Sequence, residues 1–151
     1  MLTYLVVGYY QVYKYDWQGL KHKQMITRSQ DQVQFTEEEA EFLLKSRLGR
    51  IATVSPSGQP HVVPVVYEFD GRNLYFGGWN LERSLKFRNI IHSSKVAFVV
   101  DDLESTRPWR PRGVEVRGIA HVIEEDGRVC VKVTPVRKAS WGLRRRENGT
   151  D

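Results

Sequence analysis

Apolar positions along this chain repeat mostly with a period of two, and in only two places with the three-to-four spacing of a helix. Arg50–Val54 and Pro60–Phe69 read as strands flanking Ser55-Pro56-Ser57-Gly58-Gln59, where Pro56 and Gly58 supply turn geometry. Asp70-Gly71 marks a tight hairpin into a strand at Asn73–Phe76, and Lys95–Val100 is a short apolar run suited to a buried strand. After a loop at Asp101–Arg112, Val114–Ile123 and Arg128–Val133 form another pair around Glu125-Asp126-Gly127. Gly118 interrupts the alternation there and predicts a bulge or a barrel corner.

Two helices are expected. Thr36-Glu37-Glu38-Glu39 has the form of a capping box, with Thr36 as N-cap and Glu39 closing the reciprocal bond. The helix it opens should run to about Ser46 and bury Ala40, Leu43 and Leu44, with Phe42 at the flank. The second, Leu81–His92, should begin at the N-cap Asn80 and bury Leu81, Leu85, Phe87, Ile90 and Ile91. About six short strands joined as hairpins, with an N-terminal and one internal helix, predict a mainly β, closed or nearly closed barrel. Residues 1–30 show no sustained period and form an N-terminal extension. An added strand, a partner-binding arm and sequence upstream of a start at Met25 are its three readings. Residues 31–143 form the barrel domain, and 144–151 a polar tail carrying Arg144, Arg145 and Arg146.

The 151 residues carry 23 Lys and Arg against 18 Asp and Glu, a formal net charge of +5. That balance favours an anionic partner, a phosphorylated cofactor or a nucleic acid. Cys130 is the only cysteine, so an intrachain disulfide is excluded and a reducing compartment is expected; its place in an alternating stretch assigns it to packing. The first apolar run ends at Gly8, too short to span a membrane, and has neither basic flank nor cleavage site. A cytoplasmic protein is expected.

The chemistry concentrates where Leu74-Tyr75-Phe76 runs through Gly77-Gly78-Trp79-Asn80 into the second helix. Glycines let backbone approach a ligand, and the first turn of a helix offers unpaired N–H groups to an anion. Arg83 and Lys86, three apart, should share a helix face, with Arg88 on another side. On spacing alone the segment suits a phosphate site and a basic solvated face equally. Trp109, between Arg107, Arg110 and Arg112, suits stacking on a planar ring or on a base, or a rigid Pro-rich connection. The histidines His22, His61, His92 and His121 have no metal-ligand spacing, and His61 and His121 read as satisfied strand residues. No phosphate-binding P-loop, dinucleotide fingerprint, nucleophile elbow or carboxylate couple is present. Any chemistry is therefore expected to come from a cofactor, with no catalytic side chain and no metal.

Taken in order, several blocks over Phe35–Leu143 resemble one family. They are Arg47–Val54; Gly58–Val65; Gly77-Gly78-Trp79-Asn80-Leu81 with Lys86-Phe87-Arg88; Val99–Asp102; Pro108–Gly118; and Ser140-Trp141-Gly142-Leu143. The chain is similar to the pyridoxamine 5′-phosphate oxidase-like split β-barrels, within them to the deazaflavin-dependent oxidoreductases. The resemblance implies a homodimer with two cofactor sites at the subunit interface, holding coenzyme F420 (an 8-hydroxy-5-deazaflavin) or, in relatives, FMN. It implies that Lys86 binds the cofactor phosphate, with Asn80, Arg83, Ser84 and Arg88 around it. Pro64, Val65 and Val66 would lie along the ring system, Trp79 would border it, and Trp109 and Trp141 would complete the pocket. Ser84 stands where some relatives carry a basic residue, which Arg83 replaces only with a shifted helix start. The implied activity is hydride transfer to a conjugated small molecule, with water as proton donor. A non-catalytic flavin- or tetrapyrrole-binding protein and a nucleic-acid-binding barrel are the other classes, the last disfavoured because the basic residues cluster at one helix end.

Overall fold

The computed structural model describes residues 32–125 and 127–144, together with the backbone of 3–6 and 12–15. Strands β1 (Thr3–Val6) and β2 (Val12–Tyr15) pair antiparallel as a sheet of their own. The rest of the expected N-terminal extension, Met25 included, lies outside the described residues, as do Asp126 and the tail after Arg144.

Seven strands make the main sheet: β3 (Leu48–Val54), β4 (Pro60–Val66), β5 (Glu68–Phe69), β6 (Leu74–Phe76), β7 (Lys95–Thr106), β8 (Trp109–Glu125) and β9 (Arg128–Trp141). Their order is β4-β3-β7-β8-β9-β6-β5, and every pairing is antiparallel. The two edges, β4 and β5, are consecutive in the chain and separated only by Tyr67. Passing from one edge to the other within one residue requires the sheet to curl on itself. The result is the expected split barrel, as a curled half-barrel with one more strand than the pattern indicated. Tyr67 secures the corner: it is buried, its hydroxyl donates to the Leu43 carbonyl at 2.7 Å, and its ring meets Phe98 edge-on at 5.3 Å.

Helix α1 (Glu37–Lys45) has the capping box that its sequence announces. Glu39 is buried, and besides the Thr36 N–H it accepts from Ser140 Oγ at 2.7 Å and forms an ion pair with Lys138. These donors hold its carboxyl below the usual range against a burial effect that acts the other way. The helix buries Phe42 and Leu43, whereas Leu44 is 64% exposed and Ala40 only half-buried. The Glu39 anchor to β9 sets this rotation, and a polar residue thereby takes a core position that apolar periodicity assigns to Leu44.

Two strands run further than the alternation suggests. The expected loop Asp101–Arg112 is instead a hairpin arm in which β7 and β8 stay paired up to Thr106 and Trp109. Its residues are exposed or half-buried except close to the barrel, so no alternation marks it. Backbone pairing holds it together with a two-point contact from Arg112 to Asp102, at 2.6 and 3.0 Å. Strand β9 continues eight residues past Val133. Arg117 pairs with Arg137 but Gly118 with Pro135, so Val136 bulges and the side-chain phase flips there. The bulge foreseen at Gly118 is thus present, with the extra residue on the partner strand.

Candidate functional site

The strand-to-helix connection is built differently from a simple cap. Gly78 has φ of 146° and Asn80 a left-handed φ of 55°. Asn80 makes no side-chain cap; the chain turns through a 3₁₀ turn, Leu81–Arg83, pinned by the buried Leu81. At Ser84 the backbone is extended again, and helix α2 (Leu85–His92) begins there, four residues later than expected. Its cap is Ser84, whose hydroxyl accepts from the Phe87 N–H at 3.3 Å and donates to the Leu81 carbonyl at 2.6 Å. Arg83 and Lys86 therefore lie on different elements and do not share a helix face. The same break turns Leu85 and Ile91 outward, while Asn89 and Ile90 are buried and Phe87 packs on the core.

Lys86 is half-buried, and burial lowers the pKa of its ammonium from the usual lysine value. Among the described residues neither Lys86 nor the exposed Arg83 and Arg88 has an ion pair. Three cationic groups gather within six residues, and none of them is ion-paired to a carboxylate among the described residues. Such a donor set fits a phosphate or another compact anion, since burying a cation unpaired is unfavourable until an anion arrives.

Helix α2 packs against β3 and β4. Asn89 donates to Thr53 Oγ1 at 3.0 Å, and Thr53 is the cross-strand neighbour of His61. The helix face that carries Lys86, three residues before Asn89, is thereby set beside the His61 end of β4. Pro64, Val65 and Val66 follow on the same strand. As an edge strand, β4 pairs only with β3, so its other side offers backbone N–H and C=O groups to a flat polar ring. Pro64 and Val66 point out with Val62, and Val65 points into the core. Lys86, the β4 edge and the Gly77–Arg83 turn thus form one corner of the chain. His61, read from sequence as satisfied, has its Nδ1 buried with no hydrogen-bond partner among the described residues.

The tryptophans do not converge on that corner. Trp79 is 81% exposed in the turn beside it. Gly77 lies near Cys130, at the start of β9, whereas Trp141 ends the same strand. Trp141 rests on Gly113, where a Cβ would lie 2.5 Å from the indole. Trp109 is 66% exposed at the tip of the β7–β8 arm. Two of its three neighbouring guanidinium groups are engaged: Arg112 pairs with Asp102 and Glu104 and lies 5.4 Å over Phe42, and Arg110 is 3.9 Å from Glu104.

A cavity of about 550 Å³ opens elsewhere, between α1 and the arm, lined by charged residues including Glu38, Glu41, Lys45 and Asp102. No cluster of three or more potential metal ligands occurs among the described residues. No helix among them is long and apolar enough to cross a membrane.

Residues 35–142 match the pyridoxamine 5′-phosphate oxidase family. A 5a,11a-dehydrotetracycline/5a,11a-dehydrooxytetracycline reductase of Streptomyces rimosus is 35% identical over 119 residues, covering 72% of this chain and 84% of that one. Among solved structures, a conserved hypothetical protein of Mycobacterium tuberculosis superposes with a TM-score of 0.61 at 25% identity, over 83% of this chain and 98% of its own. An F420 reductase superposes with a TM-score of 0.57, also at 25% identity, over 70% and 98%.

Proposed function

The chain belongs to the pyridoxamine 5′-phosphate oxidase family, and we propose that within it the protein is a homodimeric, coenzyme F420-dependent reductase of a conjugated small molecule. The half-buried, unpaired Lys86 at the start of α2 carries this reading. Its surroundings fit the phosphate of F420 or FMN. The similarity to a dehydrotetracycline reductase and to an F420 reductase favours reduction and the deazaflavin.

In this reading Lys86 grips the phosphate, with Arg83 and Arg88 adding charge at the rim. The Gly78–Ser84 turn borders the phosphate, its Leu81, Arg83 and Ser84 N–H groups being spent on the carbonyls of Gly78, Asn80 and Leu81, and the free edge of β4 at Pro64–Val66 orients the ring. A bound reduced deazaflavin would supply a hydride equivalent and water the proton, while the protein would supply position.

A dimer accounts for a surface that a monomer leaves open. Leu48, Val54, Val62 and Val66 all project from one face of the β3–β4 pair, with Pro60 and Pro64 between them. Arg50, ion-paired with Asp101, lies on the same face opposite Pro64, so the surface is apolar around one ion pair, a composition that suits a contact surface.

The test uses the full chain. F420 and FMN are titrated separately and followed by tryptophan fluorescence, and the reduced form of the tighter binder is then offered enones, quinones and biliverdin. Binding of F420 followed by its substrate-dependent reoxidation is expected. Tight FMN binding without F420 binding overturns the cofactor assignment, and binding without turnover makes the protein a carrier.

A further inference from the structure

We propose, on the cofactor reading above, that the backbone of Val66 binds the imide edge of the ring: its N–H donates to a ring carbonyl, and its C=O accepts the neighbouring ring N–H. This assigns the end of the ring that lies against β4.

Two turn bonds fix the phase of the β3–β4 ladder. At one end the Ser55 N–H donates to the Gln59 carbonyl at 3.0 Å, and at the other the Tyr67 N–H donates to the Arg47 carbonyl at 3.3 Å. Between them, residues of an antiparallel pair alternate between bonded and non-bonded positions. His61, Val63 and Val65, opposite Thr53, Ile51 and Gly49, therefore turn their backbone groups to β3. Pro60, Val62, Pro64 and Val66 turn theirs to the free edge, beyond which no strand lies among the described residues. The two prolines thus sit where the ladder requires no N–H. Gln59 agrees with this direction, since its Nε2 donates to the Pro60 carbonyl at 3.2 Å.

The edge is consequently poor in donors. Pro60 and Pro64 offer carbonyls alone, and that of Pro60 is already taken. Only Val62 and Val66 present an N–H beside a carbonyl, and neither group of either residue has a partner among the described residues. A strand added here would find donors missing at Pro60 and Pro64, so the edge resists sheet extension. A cyclic imide or lactam carries N–H and C=O side by side and needs only one such residue. The pyrimidinedione of flavins and deazaflavins belongs to this class, and the opposite end of the ring does not. Val66 is the better seat of the two, because it adjoins the Tyr67 corner and is the less exposed. A hydrogen bond is stronger where the surroundings are less watery.

The ladder phase supplies the test. Val66→Pro deletes the edge N–H but keeps an apolar side chain, the carbonyl and every bond to β3, and Val62→Pro is the same change one seat away. F420 and FMN are titrated against wild type and both variants, with thermal unfolding of each free protein alongside. For whichever cofactor wild type binds, Val66→Pro should weaken binding about 10- to 100-fold, as for a carbonyl left without its donor, and Val62→Pro should stay within about threefold. Both should unfold close to the wild-type midpoint. The N3-methyl derivative of that cofactor should bind wild type about 10- to 100-fold more weakly than its parent. Should a variant not fold, hydrogen exchange on the wild-type protein decides: the Val66 amide should exchange fast alone and be protected by the cofactor. Unchanged affinity for Val66→Pro or for the N3-methyl cofactor, a loss at Val62→Pro as large as at Val66→Pro, or an unprotected Val66 amide overturns the role of Val66 and leaves the cofactor reading intact. Wild type that binds neither cofactor overturns both.

Discussion

The Asn89 amide donates to Thr53 Oγ1 across 3.0 Å, and both side chains are about 99% buried. This bond is the polar tie that sets α2 on β3, and Lys86 takes its place from it. Asn89→Ala strands the Thr53 hydroxyl and should cost about 1–3 kcal/mol in denaturant unfolding. Cofactor affinity should fall as well, although Asn89 is assigned no contact with the ligand.

Lys86→Ala should weaken cofactor binding about 10- to 100-fold, the loss of a charge-assisted hydrogen bond. The variant should unfold at or above the wild-type midpoint, because an unpaired, partly buried charge is removed. Fluorescence titration and thermal melts check the two halves. Unchanged affinity places the anion site elsewhere.

Glu39 gives the protein an acid-sensitive joint. Its folded pKa lies below the ordinary value of 4.5, so its contribution to stability is complete above about that pH and is lost as pH falls through the lowered folded value. Glu39→Gln should therefore destabilise the protein by about 1–3 kcal/mol at neutral pH. The gap from wild type should close as pH drops below 4.5. Urea unfolding from pH 7 to about pH 3 measures it.

Gly113→Ala would put a methyl group 2.5 Å from the Trp141 indole and 2.8 Å from the Val100 carbonyl oxygen. The backbone contact cannot yield easily, so a loss of about 1–3 kcal/mol is expected, as in other overpacked sites. A change in tryptophan emission of the free protein should accompany it.

Val62 is 64% and Val66 44% exposed on the outward face of the edge strand. If the proposed dimer forms through this face, Val62→Glu should leave each chain folded and shift the mass in solution from two chains to one, read by light scattering. A variant that keeps the wild-type mass moves the dimer contact away from β3–β4.

Much of this molecule is legible in its sequence where side-chain period and turn chemistry speak. The capping box at Thr36 and Glu39, the Asp70-Gly71 hairpin and the irregularity at Gly118 all stand as read. The hairpin arm was not legible: with both faces in water, Asp101–Thr106 has no reason to alternate, and its strand character comes from the ladder to β8. The start of α2 was obscured for a different reason. Asn80 and Ser84 are both good caps, and only the left-handed Asn80 and the buried Leu81 decide between them. For the site, Lys86 stood out through a resemblance of blocks, whereas which backbone groups of β4 face outward depends on ladder phase, set by the turn bonds at either end.

The length of β9 has one more consequence. Its early residues adjoin the Gly77 turn and its last is Trp141, with about 35 Å of strand between them at the usual rise. In the proposed dimer, a pocket using both ends draws Trp141 from the second molecule and so obeys mass action. Its occupancy then depends on protein concentration as well as on cofactor. Dilution below the pair's own dissociation constant should cut turnover per chain even with cofactor in excess.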